Sequence, residues 1–237
     1  MMKVNKRYWL VAVVGIVLGF MYLVTPMSAQ AKGRNLNPGI LPPNSHPHGM
    51  TYGEWGAAWW QAAFALPVVN GDHPLISGGA FGGEDGVLFL LAVVGAPVVI
   101  ELTIPAGTAL FLPVVNSECS VIEPDPFHGD DEASLRACAN GHIDNTSGLF
   151  AEIDGKPVNN LGAYRVESPL FEFGPLPQNN ILGAPAGATS PSVDAGVYLF
   201  LAPLRVGRHE IHIGGTFDEF GLSIDTTFEI TVVPRRP

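Results

Sequence analysis

Residues 222–233 read Leu-Ser-Ile-Asp-Thr-Thr-Phe-Glu-Ile-Thr-Val-Val, and their alternation decides the fold class. Successive side chains of a strand point to opposite faces. Ile224, Thr226, Phe228, Ile230 and Val232 therefore share one face, and Asp225, Thr227 and Glu229 the other. The same period sets Val98, Ile100, Leu102 and Ile104 against Val99, Glu101 and Thr103, and runs near-regularly through Val206, His209, Ile211 and Ile213. Three further runs, Val87–Val94, Ala109–Val115 and Val197–Leu201, are apolar throughout. A strand with no wet face is covered on both sides. Asp154-Gly155, directly after Phe150–Ile153, predicts a tight hairpin. The reading is mainly β: eight to ten strands, mostly antiparallel, in a single β-sandwich or jelly-roll-like domain over residues 51–237.

A helix supplies the second cover. Thr51-Tyr52-Gly53-Glu54 fits a capping box, in which hydroxyl and carboxylate satisfy the first free amides. Tyr52, Trp55, Trp59, Ala62/Ala63 and Leu66 then recur at helical spacing until Pro67, so a helix is expected over 51–66, packed on the sandwich. Gly56, Ala57, Ala58, Ala62 and Ala63 keep part of its surface flat enough for close backbone approach. Trp60 lies off the apolar stripe. Ahead of the helix, residues 32–50 are a Pro/Gly/Asn-rich lead, extended or irregular. The glycine-rich run Gly78–Gly86 lacks the Lys-Ser/Thr of a phosphate loop and is expected to be a loop.

The first 31 residues have the composition of an export signal. Lys3, Lys6 and Arg7 precede the apolar run Tyr8–Val24, and Ala29-Gln30-Ala31 gives the small-x-small pattern of a cleavage site. Cleavage after Ala31 makes the protein periplasmic or extracellular; the alternative is a retained anchor. Three of the 12 basic residues fall in this segment and no acid does, leaving nine basic against 22 acidic residues afterwards. Such a polyanion is a poor partner for nucleic acid or an anionic membrane surface. Cys119 and Cys138 are the only cysteines, and an even count in an oxidising compartment predicts a disulfide. It would pin residues 116–148, a long interruption with a short helix expected from Asp131 to Ala139, capped by Asp130 and stopped by Asn140-Gly141.

Candidate chemistry concentrates near this loop and in the lead. His46-Pro47-His48 puts two imidazoles on one extended segment, and Glu118 and Asp125 belong to an acidic stretch, Glu118–Glu132, free of Lys. Together His46, His48, Glu118 and Asp125 form a candidate site for Zn or Cu, and the acidic stretch alone one for Ca. Trp60 and Glu54 are candidate ligand-binding residues on the helix, with a carbohydrate or envelope component as the partner. His209-Glu210-Ile211-His212 is not a zinc-protease motif, because its histidines are three apart on a strand. His212 is expected opposite Asp225, Thr227 and Glu229, in a cross-strand ladder.

Several separated motifs, Tyr52-Gly-Glu54-Trp55 with Trp59-Trp60-Gln61, Ile104-Pro-Ala-Gly107, Phe111-Leu-Pro113-Val-Val-Asn116-Ser117-Glu118-Cys119, Tyr164-Arg165-Val-Glu-Ser168-Pro169 and Gly207–Gly215, resemble those of a group of exported bacterial proteins of uncharacterised function. The resemblance implies one exported domain and carries no activity. Ala62 and Thr108 depart from that pattern, where an aromatic residue and a Lys are expected. The functional expectation is a non-catalytic exported binding or scaffold protein. Two alternatives are a metal-dependent exported enzyme, sited between the His46/His48 lead and loop 118–132, and a subunit of a surface assembly.

Overall fold

The computed structural model describes residues 37, 39–83, 85–95 and 97–235. The expected signal segment lies outside them. Alternation and burial agree along the last strand: Ile224, Thr226, Phe228, Ile230 and Val232 are all buried. This strand, β11 (Leu222–Val233), lies between β10 (Gly207–Phe217) and β3 (Val98–Pro105). β5 (Thr146–Ile153) and β6 (Lys156–Pro157) complete a five-stranded sheet in the order β3-β11-β10-β5-β6. Asp154 and Gly155 both take positive φ (51° and 69°), as the tight β5–β6 turn requires.

The three continuously apolar runs make the other sheet. Its order is β1 (Gly79–Phe81), β2 (Val87–Leu91), β4 (Ala109–Ser120), β9 (Ser190–Leu201) and β7 (Arg165–Glu167), with β8 (Phe171–Phe173) also paired to β9. β4 and β9 are buried on both faces. One face meets the five-stranded sheet, where Leu149 and the Val115 methyl pack close to Gly215. The other is covered by α1 (Tyr52–Phe64), whose Tyr52, Trp55 and Trp59 are at most 1 % exposed. Trp55 meets Phe89, Phe111 and Phe200 at ring distances of 5.4 to 6.1 Å, and each such pair contributes roughly 0.5–1.5 kcal/mol beyond area burial. The capping box is formed: Thr51 Oγ1 accepts from the Glu54 amide, and Glu54 accepts from the Thr51 amide.

Three expectations need correction. There are eleven strands among the described residues rather than eight to ten; most pairs are antiparallel as expected, but β2 runs parallel to β4 and β3 parallel to β11, so both sheets are mixed. The glycine-rich run does not stay a loop: Gly79–Phe81 pairs with Phe89–Leu91 as β1, which brings Phe81 edge-on to Trp59. The helix of the long loop, α3 (Glu132–Asp144), is capped by Asp131 rather than Asp130 and runs through Asn140-Gly141 to Asp144. Leu135, Ala139, His142 and Ile143 form its buried face, and that burial outweighs the glycine's cost of about 1 kcal/mol. The Cys119–Cys138 disulfide is present and ties α3 to the end of β4.

The lead packs onto the body. Ile40 bridges Leu201 at the end of β9, and the Trp55 indole donates to the Pro47 carbonyl at 2.9 Å. The described residues constitute one compact unit.

Candidate functional site

β2 pairs with β4 only at Ala109–Phe111, so beyond Leu112 the outer edge of β4 is left to other elements. Those elements bound a pocket of about 400 Å³. Trp60 and Phe64 come from the C-terminal half of α1, and Leu75 from the short α2 (Pro74–Ser77). Ile181 and Leu182 come from the β8–β9 connection, Phe217, Phe220 and Leu222 from the β10–β11 turn, and Phe127 from the disulfide loop. The polar groups in these walls are Asn116, Ser117, Glu118 and Glu123. A mainly apolar chamber with a few convergent polar groups is the ordinary form of a small-molecule site.

Glu118 is the central polar residue. It is 3 % exposed, accepts a hydrogen bond from Ser192 Oγ, and lies directly across the β4–β9 ladder from Asp194. Burial pushes its carboxyl well above the carboxylate range, and Glu123, within hydrogen-bonding reach, pushes it the same way. Glu123 is steadied by Ser120 Oγ at 2.7 Å. With a second carboxyl this close, ionisation of Glu118 is disfavoured.

Asp194 forms the layer behind. It is fully buried, accepts from Trp60 Nε1 at 2.8 Å, and accepts from the Tyr198 hydroxyl at 2.7 and 2.8 Å. Burial raises its pKa to about 7, partly offset by these donors. The Tyr198 hydroxyl is pushed up by burial and by Asp194. Asn116 Nδ2 is buried and makes no hydrogen bond of good geometry, although the side chain is near enough to ease the shift of Tyr198.

On the opposite face of β4, Ser117 Oγ is 2.7 Å from His142 Nδ1. Phe127 and Phe220 flank the imidazole edge-on, each with a ring distance of 5.1 Å, and burial lowers its pKa.

The residues singled out from sequence are dispersed. Trp60 and Glu118 line the pocket. His46 lines a separate open pocket with Thr51, Val166 and Glu167 on the β7 side of β9, whereas β4, which carries Glu118, lies on the other side of β9. His48 packs against Trp55 and Phe200, and Asp125 is exposed on the loop. Glu54 spends its carboxylate on the Thr51 amide and hydroxyl, which hold its pKa below the usual value. The four-residue metal set His46, His48, Glu118 and Asp125 is therefore not assembled. Among the described residues, the group at metal-ligand spacing is Cys119, Cys138 and His142, and its two sulfurs are bonded to each other rather than offering thiolates. His209 and His212 each bond a carboxylate, Asp154 at 2.9 Å and Asp225 at 2.7 Å. The sequence reading passed over Asp194 and Tyr198. The available signal was a single acid inside the otherwise uncharged run Ser192–Leu201. No protein-family model, curated protein or solved structure matches this chain.

Proposed function

We propose that the protein is an exported, non-catalytic binding protein for a small, mainly apolar molecule, held in the pocket along the outer edge of β4. The observation that carries this reading is the pocket itself: about 400 Å³, walled mainly by aromatic and aliphatic side chains, with Asn116, Ser117, Glu118 and Glu123 as its polar groups. Export rests on the charged and apolar pattern of residues 1–31, on the disulfide and on the motif resemblance. Trp60 sits in the wall and reports occupancy through its fluorescence. The test is a titration of purified protein with medium-chain alcohols and aromatic alcohols, with organic extraction and mass spectrometry of the protein as first isolated. Saturable quenching that is lost in Leu182→Trp, which fills the chamber, supports the reading. No quenching and no extractable molecule refutes it.

A second reading rests on Ser117 and His142. A 2.7 Å contact allows the imidazole to take the hydroxyl proton, which would let the Ser117 oxygen attack an acyl carbon. Covalent labelling of Ser117 by a fluorophosphonate, abolished in His142→Ala, would establish a hydrolase. An unlabelled Ser117 in folded protein dismisses it.

A further inference from the structure

Glu118 and Glu123 bring two carboxyls to the wall of an apolar chamber, and Asp194 stands directly behind Glu118. Every hydrogen bond the described residues make to these three carboxylate groups comes from a neutral donor: Ser192, Ser120, Trp60 and Tyr198. Buried carboxyls are either balanced by a cation or a metal or kept protonated, and a cation that arrives can take the place of the proton. A metal does not suit this arrangement, because the three carboxyls do not converge to ligand spacing. Aromatic rings line the same pocket as Glu118 and Glu123: Trp60, Phe64, Phe127, Phe217 and Phe220. Ring faces attract cations, and desolvation strengthens that attraction.

We propose that the ligand is an organic amine, with its ammonium group seated against Glu118 and Glu123 and its apolar body lying among the aromatic side chains. This deepens the binding-protein reading and rests on it. The ammonium supplies a counter-charge to Glu118, whose own burial limits screening by water. An anionic ligand would bring its charge against a pair of carboxyls with no cation to offset it, and the site would disfavour it. A neutral alcohol of the same length would gain the apolar contacts alone. Asn116 Nδ2, buried and without a good hydrogen bond, is an open donor in the same wall for an oxygen on the ligand body.

The proton balance follows. Without a cation, burial and Glu123 keep a proton on Glu118. The groups facing that carboxyl are Glu123 from the loop and Asp194 from β9, with His142 of α3 beyond Ser117. Burial lowers the pKa of the His142 ring, which disfavours a competing charge there. When the ammonium arrives, the proton on Glu118 leaves to solvent and the Glu118 carboxylate pairs with the cation.

The test is a matched series of one chain length: a primary alkylamine, the alcohol and the carboxylate, titrated calorimetrically at pH 6 in two buffers of different ionisation enthalpy. The amine is expected to bind at least roughly tenfold tighter than the alcohol, with the carboxylate weakest. Amine binding, and not alcohol binding, should release about one proton. In Glu118→Gln the amine-to-alcohol ratio should fall towards one; Glu123→Gln, on the more exposed loop, gives the same readout if the first variant fails to fold. Equal affinity for amine and alcohol, or an undiminished ratio in a folded variant, overturns the amine while leaving the pocket a binding site. Failure of all three compounds to bind overturns both readings.

Discussion

Glu118 and Asp194 are direct cross-strand partners on β4 and β9, and each is at most 3 % exposed. Two acids placed opposite each other in a sheet repel if both ionise. They persist because burial keeps them protonated, Glu118 well above the usual range and Asp194 at about 7. The core of this sandwich therefore stores protons, and its stability depends on pH in the sense opposite to a protein built on carboxylate salt bridges.

The sign can be worked out from Asp194. Its pKa rises from an ordinary 3.8 to about 7 on folding. Below 3.8 both states hold the proton; between the two values the folded state keeps it and the unfolded state has lost it. Raising the pH through this window therefore favours unfolding, by up to roughly 4 kcal/mol from this group at about 1.4 kcal/mol per unit. Glu118 acts in the same direction. Urea unfolding from pH 4 to 8 should show stability falling across the window, with a shallower fall in Asp194→Asn. A rise with pH, or an identical slope in the variant, would contradict this account.

The two adjacent tryptophans should separate by role. Trp59 is fully buried and its indole donates to the Leu90 carbonyl at 3.1 Å, so Trp59→Ala should cost about 3–5 kcal/mol. Trp60 is half-buried in the pocket wall, and Trp60→Phe keeps most of its packing while removing a donor from a buried acid. The expected cost is about 1–3 kcal/mol, and the Asp194 pKa should climb above its present value of about 7. Thermal melts at pH 5 and pH 8 distinguish them, because only the Trp60 variant should lose more at the higher pH.

Much of this architecture is written locally. The 222–233 alternation, the Thr51–Glu54 box and the even cysteine count each depend on neighbouring residues or on compartment, and each has its counterpart in the structure. The parallel pairing of β3 with β11 is not local, since it joins residues more than a hundred positions apart. The site fails for the same reason. Glu118 reads as one more acid of the 118–132 stretch, and only the β4–β9 register brings it opposite Asp194, against the N–H of a tryptophan from α1. Trp60 was visible as the residue off the helix stripe. What it turned towards was not.

Opening the disulfide should loosen the loop before it disturbs the sheets. The bridge closes a loop with a sequence separation of 19 and joins β4 to α3, whose buried face also carries His142. Cys119→Ser with Cys138→Ser should lower stability by roughly 3 kcal/mol on the chain-entropy model. Limited proteolysis should cut first within residues 121–131, the exposed part of the loop next to Glu123. Cleavage in β9 or β10 at an equal rate would mean that the bridge supports the sheets themselves.

The flat face of α1 can be tested where it touches the acid layer. A Cβ built on Gly53 would lie 2.4 Å from the Glu167 carbonyl oxygen, and one on Gly56 would lie 2.5 Å from Asp194 Oδ2. Alanine favours a helix over glycine by about 1 kcal/mol, so propensity alone predicts stabilisation at both positions. The contacts predict the reverse. At Gly53 the obstacle is backbone, which cannot rotate away, and overpacking of this kind costs about 1–3 kcal/mol. At Gly56 the carboxyl is held by Trp60 and by Tyr198, so moving it breaks those bonds. Gly53→Ala and Gly56→Ala should both melt below the parent protein, and Gly56→Ala should also alter the pH dependence traced to Asp194. A higher melting temperature in either variant would show that α1 can lift from β7 and β9, and that its close seating is not what holds Asp194 away from water.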